Sequence, residues 1–155
     1  MGQQQLLLVI LVTILVGIAT VVAINVFGSA AENANRDAVR QDLLQAAAGA
    51  QAVWSKPVLL GGAGRNFSEI GGDDGGTLTD ADILQLLGIP GSLGRDADDE
   101  NDVITNENGT YRLGARSQDE ITIIGEPSTY LATIEVEVER TDDGLWEIEI
   151  SETAD

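Results

Sequence analysis

The chain has 155 residues, enough for one domain, and its charge is distributed unevenly. Residues 69–155 carry 23 Asp or Glu and four Arg, whereas residues 1–28 carry no charged side chain. This negative charge excludes nucleic acid and anionic lipid headgroups as partners. The sequence contains neither Cys nor His, which excludes disulfides, thiol nucleophiles and the usual general base. We therefore expect no enzyme and no cofactor.

Lysine occurs once, at Lys56, against 26 acidic residues. An acidic composition poor in Lys is typical of a protein that works in concentrated salt, where repulsion between carboxylates is screened. The composition thus favours a halophilic source, and an acidic protein from an ordinary environment is the alternative.

The first half of the predicted N-terminal helix is long enough to cross a membrane. Leu6 to Ile24 is a run of 19 residues in which only Thr13 and Thr20 are polar. As a helix this run would span ~29 Å, about the thickness of a bilayer core. A signal peptide would have a shorter apolar core preceded by basic residues. Nothing basic precedes this run, so a membrane-spanning or filament-core helix is the favoured interpretation.

The helix is predicted to continue to about residue 55, because residues 29–54 are rich in Ala and lack Pro. Apolar residues recur there at intervals of three and four, which indicates one buried stripe: Val39, Leu43, Ala46, Ala47, Ala50 and Trp54. A helix from residue 4 to 54 would be roughly 75 Å long, whereas a body of 100 residues has a radius of gyration near ~13 Å. The apolar half, residues 6–27, must therefore be buried in lipid or against other copies.

A Gly-rich loop is predicted over residues 56–78, with seven Gly between positions 61 and 76. Its spacing fits neither the phosphate-loop pattern nor the dinucleotide-binding fingerprint. A short helix is then predicted over Asp80–Leu87. Thr79 and Asp82 stand at capping-box spacing at its start, and Gly88 with Pro90 should end it.

The acidic region 79–155 should continue as an antiparallel sheet of about four strands. We predict strands over 103–105, 110–113, 120–124, 131–140 and 145–151, of which 120–124 is either a separate strand or an extension of the second. Asn108-Gly109 predicts a two-residue turn between the first two. The fold class is therefore α+β, with the second half of the long helix packed on the sheet.

The last two strands alternate strictly between apolar and acidic residues, so their register can be predicted. The apolar side chains of both strands lie on the same face of the sheet only if the residue numbers of each opposed pair sum to an even value. A three-residue loop, Asp142-Asp143-Gly144, meets this condition when Gly144 adopts the left-handed region. It places Val138 opposite Ile148 and Val136 opposite Ile150. The same register places Glu139 opposite Glu147 and Glu137 opposite Glu149.

The remaining candidate sites each have a plain structural alternative. The acidic run 96–102 could bind Ca²⁺ through Asp96, Asp98, Glu100 and Asp102, but it lacks the Gly and distal Glu of an EF-hand, which favours a solvated loop. Asn66 and Asn108 begin N-glycosylation sequons, although a hairpin turn alone explains Asn108. Trp54 and Trp146 are most simply core residues, where the helix meets the sheet.

The arrangement of a long helix, apolar and then amphipathic, followed by a loop and an antiparallel sheet, resembles the type IV pilins. Met1-Gly2, ahead of Gln3-Gln4-Gln5 and the apolar run, resembles a very short pilin leader. The resemblance implies cleavage between Gly2 and Gln3, with methylation of the new N-terminus. Leu7 then becomes the fifth residue, a position at which bacterial pilins usually carry Glu.

The resemblance further implies a homopolymer at the cell surface, built by inner-membrane assembly machinery from a single-pass precursor. Its core would consist of thirteen large apolar side chains: Leu6, Leu7, Leu8, Val9, Ile10, Leu11, Ile14, Leu15, Ile18, Val21, Val22, Ile24 and Phe27. The alternatives are a single-span protein that anchors an acidic binding module and a minor pseudopilin of a secretion system. Arg36 and Arg40 follow the span, which favours a C-terminus inside. The acidic region suits a solvent-facing position, and we expect the C-terminus outside.

Overall fold

The computed structural model describes residues 2–70, 78–95, 102–129 and 131–154. Helix α1 runs over Gly2–Ser55, and two short 3₁₀ helices follow at Val58–Leu60 and Phe67–Glu69. Helix α2 spans Asp80–Leu86. The strands are β1 Ser92–Arg95, β2 Asp102–Thr105, β3 Gly109–Arg116, β4 Glu120–Pro127, β5 Ala132–Arg140 and β6 Trp146–Ala154. The chain therefore has the predicted α+β class.

The described residues form two compact units, Met1–Ala34 and Asn35–Asp155. We call the second unit the head, and we call residues 6–27 of the first unit the apolar segment. Helix α1 runs without a break through Gly17 and Gly28 in the first unit. Its most apolar window has a mean hydropathy of 3.1 and is 0% buried. This helix is therefore long and apolar enough to span a membrane, as predicted.

The predicted apolar stripe of α1 lies in the core of the head. Val39, Leu43, Ala46, Ala47 and Ala50 are each 0% exposed, and Val53 and Trp54 are also buried. These side chains share one hydrophobic cluster with residues of the sheet and with Ile83, Leu84 and Leu87 of the α2 region. The second half of α1 is therefore packed on the sheet, as the periodicity of its sequence predicts.

Helix α2 begins with the predicted capping box. The Thr79 backbone N–H donates to Asp82 Oδ2 at 3.0 Å, and the Asp82 N–H donates to Thr79 Oγ1 at 3.2 Å. Two backbone donors at the start of the helix are thereby satisfied, which allows a helix of seven residues to form. It ends at Leu86, one residue earlier than predicted.

Within the described ranges, the sheet contains six antiparallel strands in the order β1-β2-β3-β4-β5-β6 rather than about four. Strand β1 was not predicted. It has only four residues, including Gly94, and pairs with β2 from Ser92↔Thr105 to Arg95↔Asp102. Strand β4 is separate from β3 and folds back along it, so 120–124 does not extend the second strand. Every strand thus pairs with its neighbours in sequence.

The β5–β6 hairpin has the predicted register. Val138 pairs with Ile148, Val136 with Ile150, Glu139 with Glu147 and Glu137 with Glu149. The loop Asp142-Asp143-Gly144 is closed by a hydrogen bond from the Thr141 N–H to the Leu145 carbonyl at 2.9 Å. Gly144 has a φ of 79°, a conformation that other residues adopt only at a cost.

The β2–β3 turn differs from the prediction. Thr105 pairs with Thr110, and the Asn106 N–H donates to the Gly109 carbonyl, so the two turn residues are Glu107 and Asn108. Asn106 Oδ1 accepts from the backbone N–H groups of Asn108 and Gly109 and shapes this turn. Gly109 is needed for another reason, because a Cβ there would lie 2.1 Å from the Glu126 carbonyl oxygen.

Strand β6 forms an edge of the sheet, and its apolar side chains are less covered than the sequence predicts. Ile134 and Val136 of β5 are 0% exposed, whereas Ile148 and Ile150 of β6 are 39% and 38% exposed. The apolar face of β5 is therefore covered more fully than that of β6. An edge strand has a covering neighbour on one side only, which leaves its side chains open to solvent.

The glutamates of this hairpin predict that the stability of the head depends on salt. Partial desolvation and the charges of neighbouring glutamates, Glu120 and Glu149 first among them, raise the pKa of Glu137. Because screening weakens this repulsion, we expect the melting temperature of the head to rise as NaCl increases from about 0.1 to 2 M. The double substitution Glu137→Gln with Glu139→Gln should raise the melting temperature in low salt and flatten the dependence. Equal stability of the unmodified head at both salt concentrations would contradict this expectation.

Candidate functional site

The apolar segment is exposed at every position that the sequence assigns to a filament core. These thirteen side chains are between 48% and 74% exposed, from Ile10 to Phe27. Seven residues line a shallow apolar groove on this helix: Leu15, Ile18, Ala19, Val22, Ala23, Val26 and Phe27. A continuous apolar surface of this extent marks a site of contact with another protein or with lipid.

The two threonine hydroxyls within the apolar segment are satisfied inside the helix itself. Thr13 Oγ1 donates to the Val9 carbonyl, and Thr20 Oγ1 donates to the Val16 carbonyl, each at 2.8 Å. Burial of an unpaired hydroxyl in an apolar medium costs several kcal/mol, roughly 2–7. The two threonines therefore leave the apolar segment suited to lipid or to a protein core.

In the head, α1 is joined to the β2–β3 turn by a cluster of polar side chains around Asp42. Asp42 Oδ2 accepts from Tyr111 Oη at 2.6 Å, from Asn108 Nδ2 at 2.9 Å and from Asn106 Nδ2 at 3.2 Å. Tyr111 is 0% exposed, so its hydroxyl needs this partner. Asp42 therefore fixes the rotation of the helix relative to the sheet as well as its position.

Further polar contacts join the first residues of the head to the sheet. Asn35 Nδ2 donates to the Asn108 carbonyl at 2.7 Å, and Asn35 Oδ1 accepts from Thr129 Oγ1 at 2.9 Å. On the other flank of α1, Arg36 and Arg40 both form ion pairs with Glu152 of β6. The arginines that follow the span thus bind the last strand of the head.

The position of Tyr111 predicts its behaviour in alkali. Burial, the hydrogen bond to Asp42 and the charge of Asp42 all raise the pKa of Tyr111 above its ordinary value of 10.0. The stability that the neutral phenol provides is complete below that value and is lost as the pH rises through the folded-state pKa. In a Tyr130→Phe chain, we expect tyrosinate absorbance to appear only together with alkaline unfolding. Ionisation of Tyr111 near pH ~10 in the folded head would contradict this assignment.

The two tryptophans meet near the end of α1. Trp54 is 8% exposed, and its ring contacts that of Trp146 edge-on, with the centroids 5.4 Å apart. Trp146 is only partly buried and packs against the edge of the core. The Arg140 guanidinium lies 4.4 Å from the centroid of the Trp54 ring, a cation–π contact that the sequence did not indicate.

The candidate calcium residues are only partly described. Asp102 lies at the start of β2 and is half-buried, whereas Asp96, Asp98 and Glu100 lie outside the described residues. Within the described ranges, no group of three Asp or Glu could hold a metal ion. The calcium site stays a prediction.

Both sequon asparagines use their side-chain amides within the head. Asn108 Nδ2 donates to Asp42, and Asn66 Nδ2 donates to Glu69 Oε1 at 3.0 Å. Asn66 Oδ1 also accepts from the Ser68 N–H and caps the second 3₁₀ helix. Gly2 and Gln3, between which the leader would be cleaved, lie in the first turn of α1. Glycosylation of the sequons and cleavage of the leader both stay predictions.

Comparison of the chain with models of protein families found no match, and comparisons with curated proteins and with solved structures found none either. The long apolar N-terminal helix and the antiparallel sheet that follows it are compatible with a pilin-like fold.

Proposed function

We propose that this chain is a structural subunit of a type IV pilus-like extracellular filament that polymerises through its apolar N-terminal helix. The proposal draws on the order of the elements along the chain. A helix that is apolar and then amphipathic precedes an antiparallel sheet, and the amphipathic half is packed on that sheet.

The observation that carries the proposal is the exposure of the apolar segment. Its most apolar window is 0% buried within the chain. Burial of each large apolar side chain contributes about 1.5–3 kcal/mol relative to water. Thirteen such side chains in one helix make an aqueous location untenable. Lipid buries the apolar segment before assembly, and the apolar segments of neighbouring copies bury it afterwards.

The head has the properties of a surface that remains in solvent. It contains nearly all of the charge of the chain, with 23 acidic residues beyond position 68. In this proposal its partners are other copies of the chain, together with the inner-membrane machinery that moves the precursor from the membrane into the filament. Cleavage between Gly2 and Gln3 and methylation of Gln3 would precede that step.

Negative-stain microscopy of sheared surface material tests the proposal. We expect regular fibres that contain this chain, and the mass of the subunit in those fibres reports whether Met1 and Gly2 have been removed. Recovery of the chain only from detergent-solubilised membranes would contradict the filament and favour the single-span anchor.

A further inference from the structure

A small apolar projection stands on the head directly after α1. We call Val58–Leu60, a single turn of 3₁₀ helix, the knob. Leu59 is 95% exposed and Leu60 is 64% exposed. Two adjacent leucines with such large exposed fractions are unusual on a surface as acidic as this one, because exposure of apolar area to water is unfavourable.

The segment that follows the knob is hydrogen-bonded to α1, which fixes both ends of the turn. The Ala63 N–H donates to the Val53 carbonyl at 2.9 Å, and the Arg65 N–H donates to the Trp54 carbonyl at 2.8 Å. Within the turn, the Leu60 N–H donates to the Pro57 carbonyl at 2.9 Å. The leucines are therefore presented by an ordered turn, which lowers the entropy lost when a partner binds.

Three cationic side chains near the end of α1, where the knob begins, lack acidic partners among the described residues. Lys56, Arg65 and Arg140, which we call the cationic rim, form no ion pair with any residue that the structure describes. Arg65 and Arg140 both lie over the Trp54 ring, at 6.0 and 4.4 Å from its centroid. Four other cations each pair with Asp or Glu: Arg36, Arg40, Arg112 and Arg116. The rim is therefore free to attract a negatively charged surface.

The edge of the sheet formed by β6 has the opposite character. Ile148 and Ile150 are 39% and 38% exposed on one face of the strand. Glu147 and Glu149 alternate with them on the other face, and neither forms an ion pair within the described part of the chain. This edge therefore combines exposed apolar side chains with uncompensated negative charge, which complements the knob and its rim.

The charges also decide which surfaces can meet between copies. Two knobs in contact would bring cations together, and two β6 edges would bring glutamates together. Contact of a knob with a β6 edge joins opposite charges and covers leucines with isoleucines. Such an interface is heterologous, and repetition of a heterologous contact generates an open array when the rotation does not close.

We propose that the knob of one copy binds the β6 edge of the next copy, with the cationic rim facing Glu147 and Glu149. This inference rests on the proposed filament, for which it supplies a contact between heads. Leu59 and Leu60 would pack against Ile148 and Ile150.

Disulfide cross-linking of the full chain tests this contact, since the chain has no Cys of its own. Leu59→Cys and Ile150→Cys chains that carry tags of different size are produced together in the same cells. After mild oxidation of the surface material, we expect a mixed dimer. The matched control replaces Ile150→Cys by Leu93→Cys, which lies on β1 at the opposite edge and is 56% exposed. We expect about tenfold more dimer from the first pair.

Charge reversal provides the second measurement. Lys56→Glu with Arg65→Glu in the Leu59→Cys chain should reduce the mixed dimer about tenfold, because like charges then meet at the interface. Glu147→Lys with Glu149→Lys in the Ile150→Cys chain should restore it. A purely structural effect of the reversed charges would not be rescued in this way.

The outcomes separate this inference from the proposed function. Fibres without the mixed dimer, or with as much dimer from the control pair, would overturn the contact and leave the filament intact. The mixed dimer without fibres would support the contact and overturn the filament. Absence of both would overturn both.

Discussion

Deletion of residues 1–28 is expected to abolish filament formation and to release a soluble, monomeric remainder that keeps its sheet. The deleted residues include the whole apolar segment, whose most apolar window is 0% buried within the chain. The core of the head lies between Val39 and Val138, so its packing does not use them. Sedimentation reports whether the remainder is monomeric, and circular dichroism reports whether its strands remain.

Point substitutions give this experiment a matched control. Ile18→Asp places a charge within the apolar groove and should prevent assembly, since a charged residue at the centre of such a helix costs about 2.5–3.5 kcal/mol. Ile18→Leu changes only the branching of the side chain and should assemble. Polymerisation of the chain without residues 1–28 would show that the filament core lies elsewhere.

Leu43→Ala is expected to destabilise the head by about 2–5 kcal/mol. Leu43 is 0% exposed within the cluster that joins α1 to the sheet, so its truncation leaves a cavity that neighbouring strands can only partly fill. The neighbouring residue provides the control, because Leu44 is 46% exposed. Leu44→Ala should change the free energy of unfolding by less than about 1 kcal/mol.

Denaturant unfolding followed by tryptophan fluorescence measures both variants, since Trp54 and Trp146 lie in the head. Equal losses from the two substitutions would mean that the rotation of α1 about its axis differs from that in the structure. The same experiment with Trp146→Ala should give a smaller loss than Leu43→Ala, because Trp146 is only partly buried at the edge strand.

Features that depend on local periodicity were predictable from the sequence. The register of β5 with β6 follows from the alternation of apolar and acidic residues in both strands. A shift by one residue would expose Val136 and bury Glu137. The stripe on α1 follows from the helical period, and the capping box follows from the spacing of Thr79 and Asp82. The exposed apolar segment of the candidate site follows from its length and composition.

Features that depend on tertiary neighbours were not predictable. Strand β1 has few side chains that favour a strand and forms by pairing with β2. The β2–β3 turn lies one residue earlier than expected, because Asn106 hydrogen-bonds the turn and Gly109 is required for the approach of Glu126. Asp42 lies on the flank of α1, and only the folded sheet brings Tyr111 and two Asn side chains to it. The exposure of the knob likewise required the structure.

The sequential pairing of all six strands has a consequence for the order of folding. Each strand pairs with its neighbour in sequence, so the sheet can form by successive short-range steps with low contact order. The core closes only when Leu43 of α1 and sheet residues such as Val136 join one hydrophobic cluster, and these two residues are more than ninety positions apart in the chain. We therefore expect docking of the completed sheet onto α1 to limit the folding rate. In the proposed membrane precursor, α1 would already be held by lipid when the sheet docks onto it.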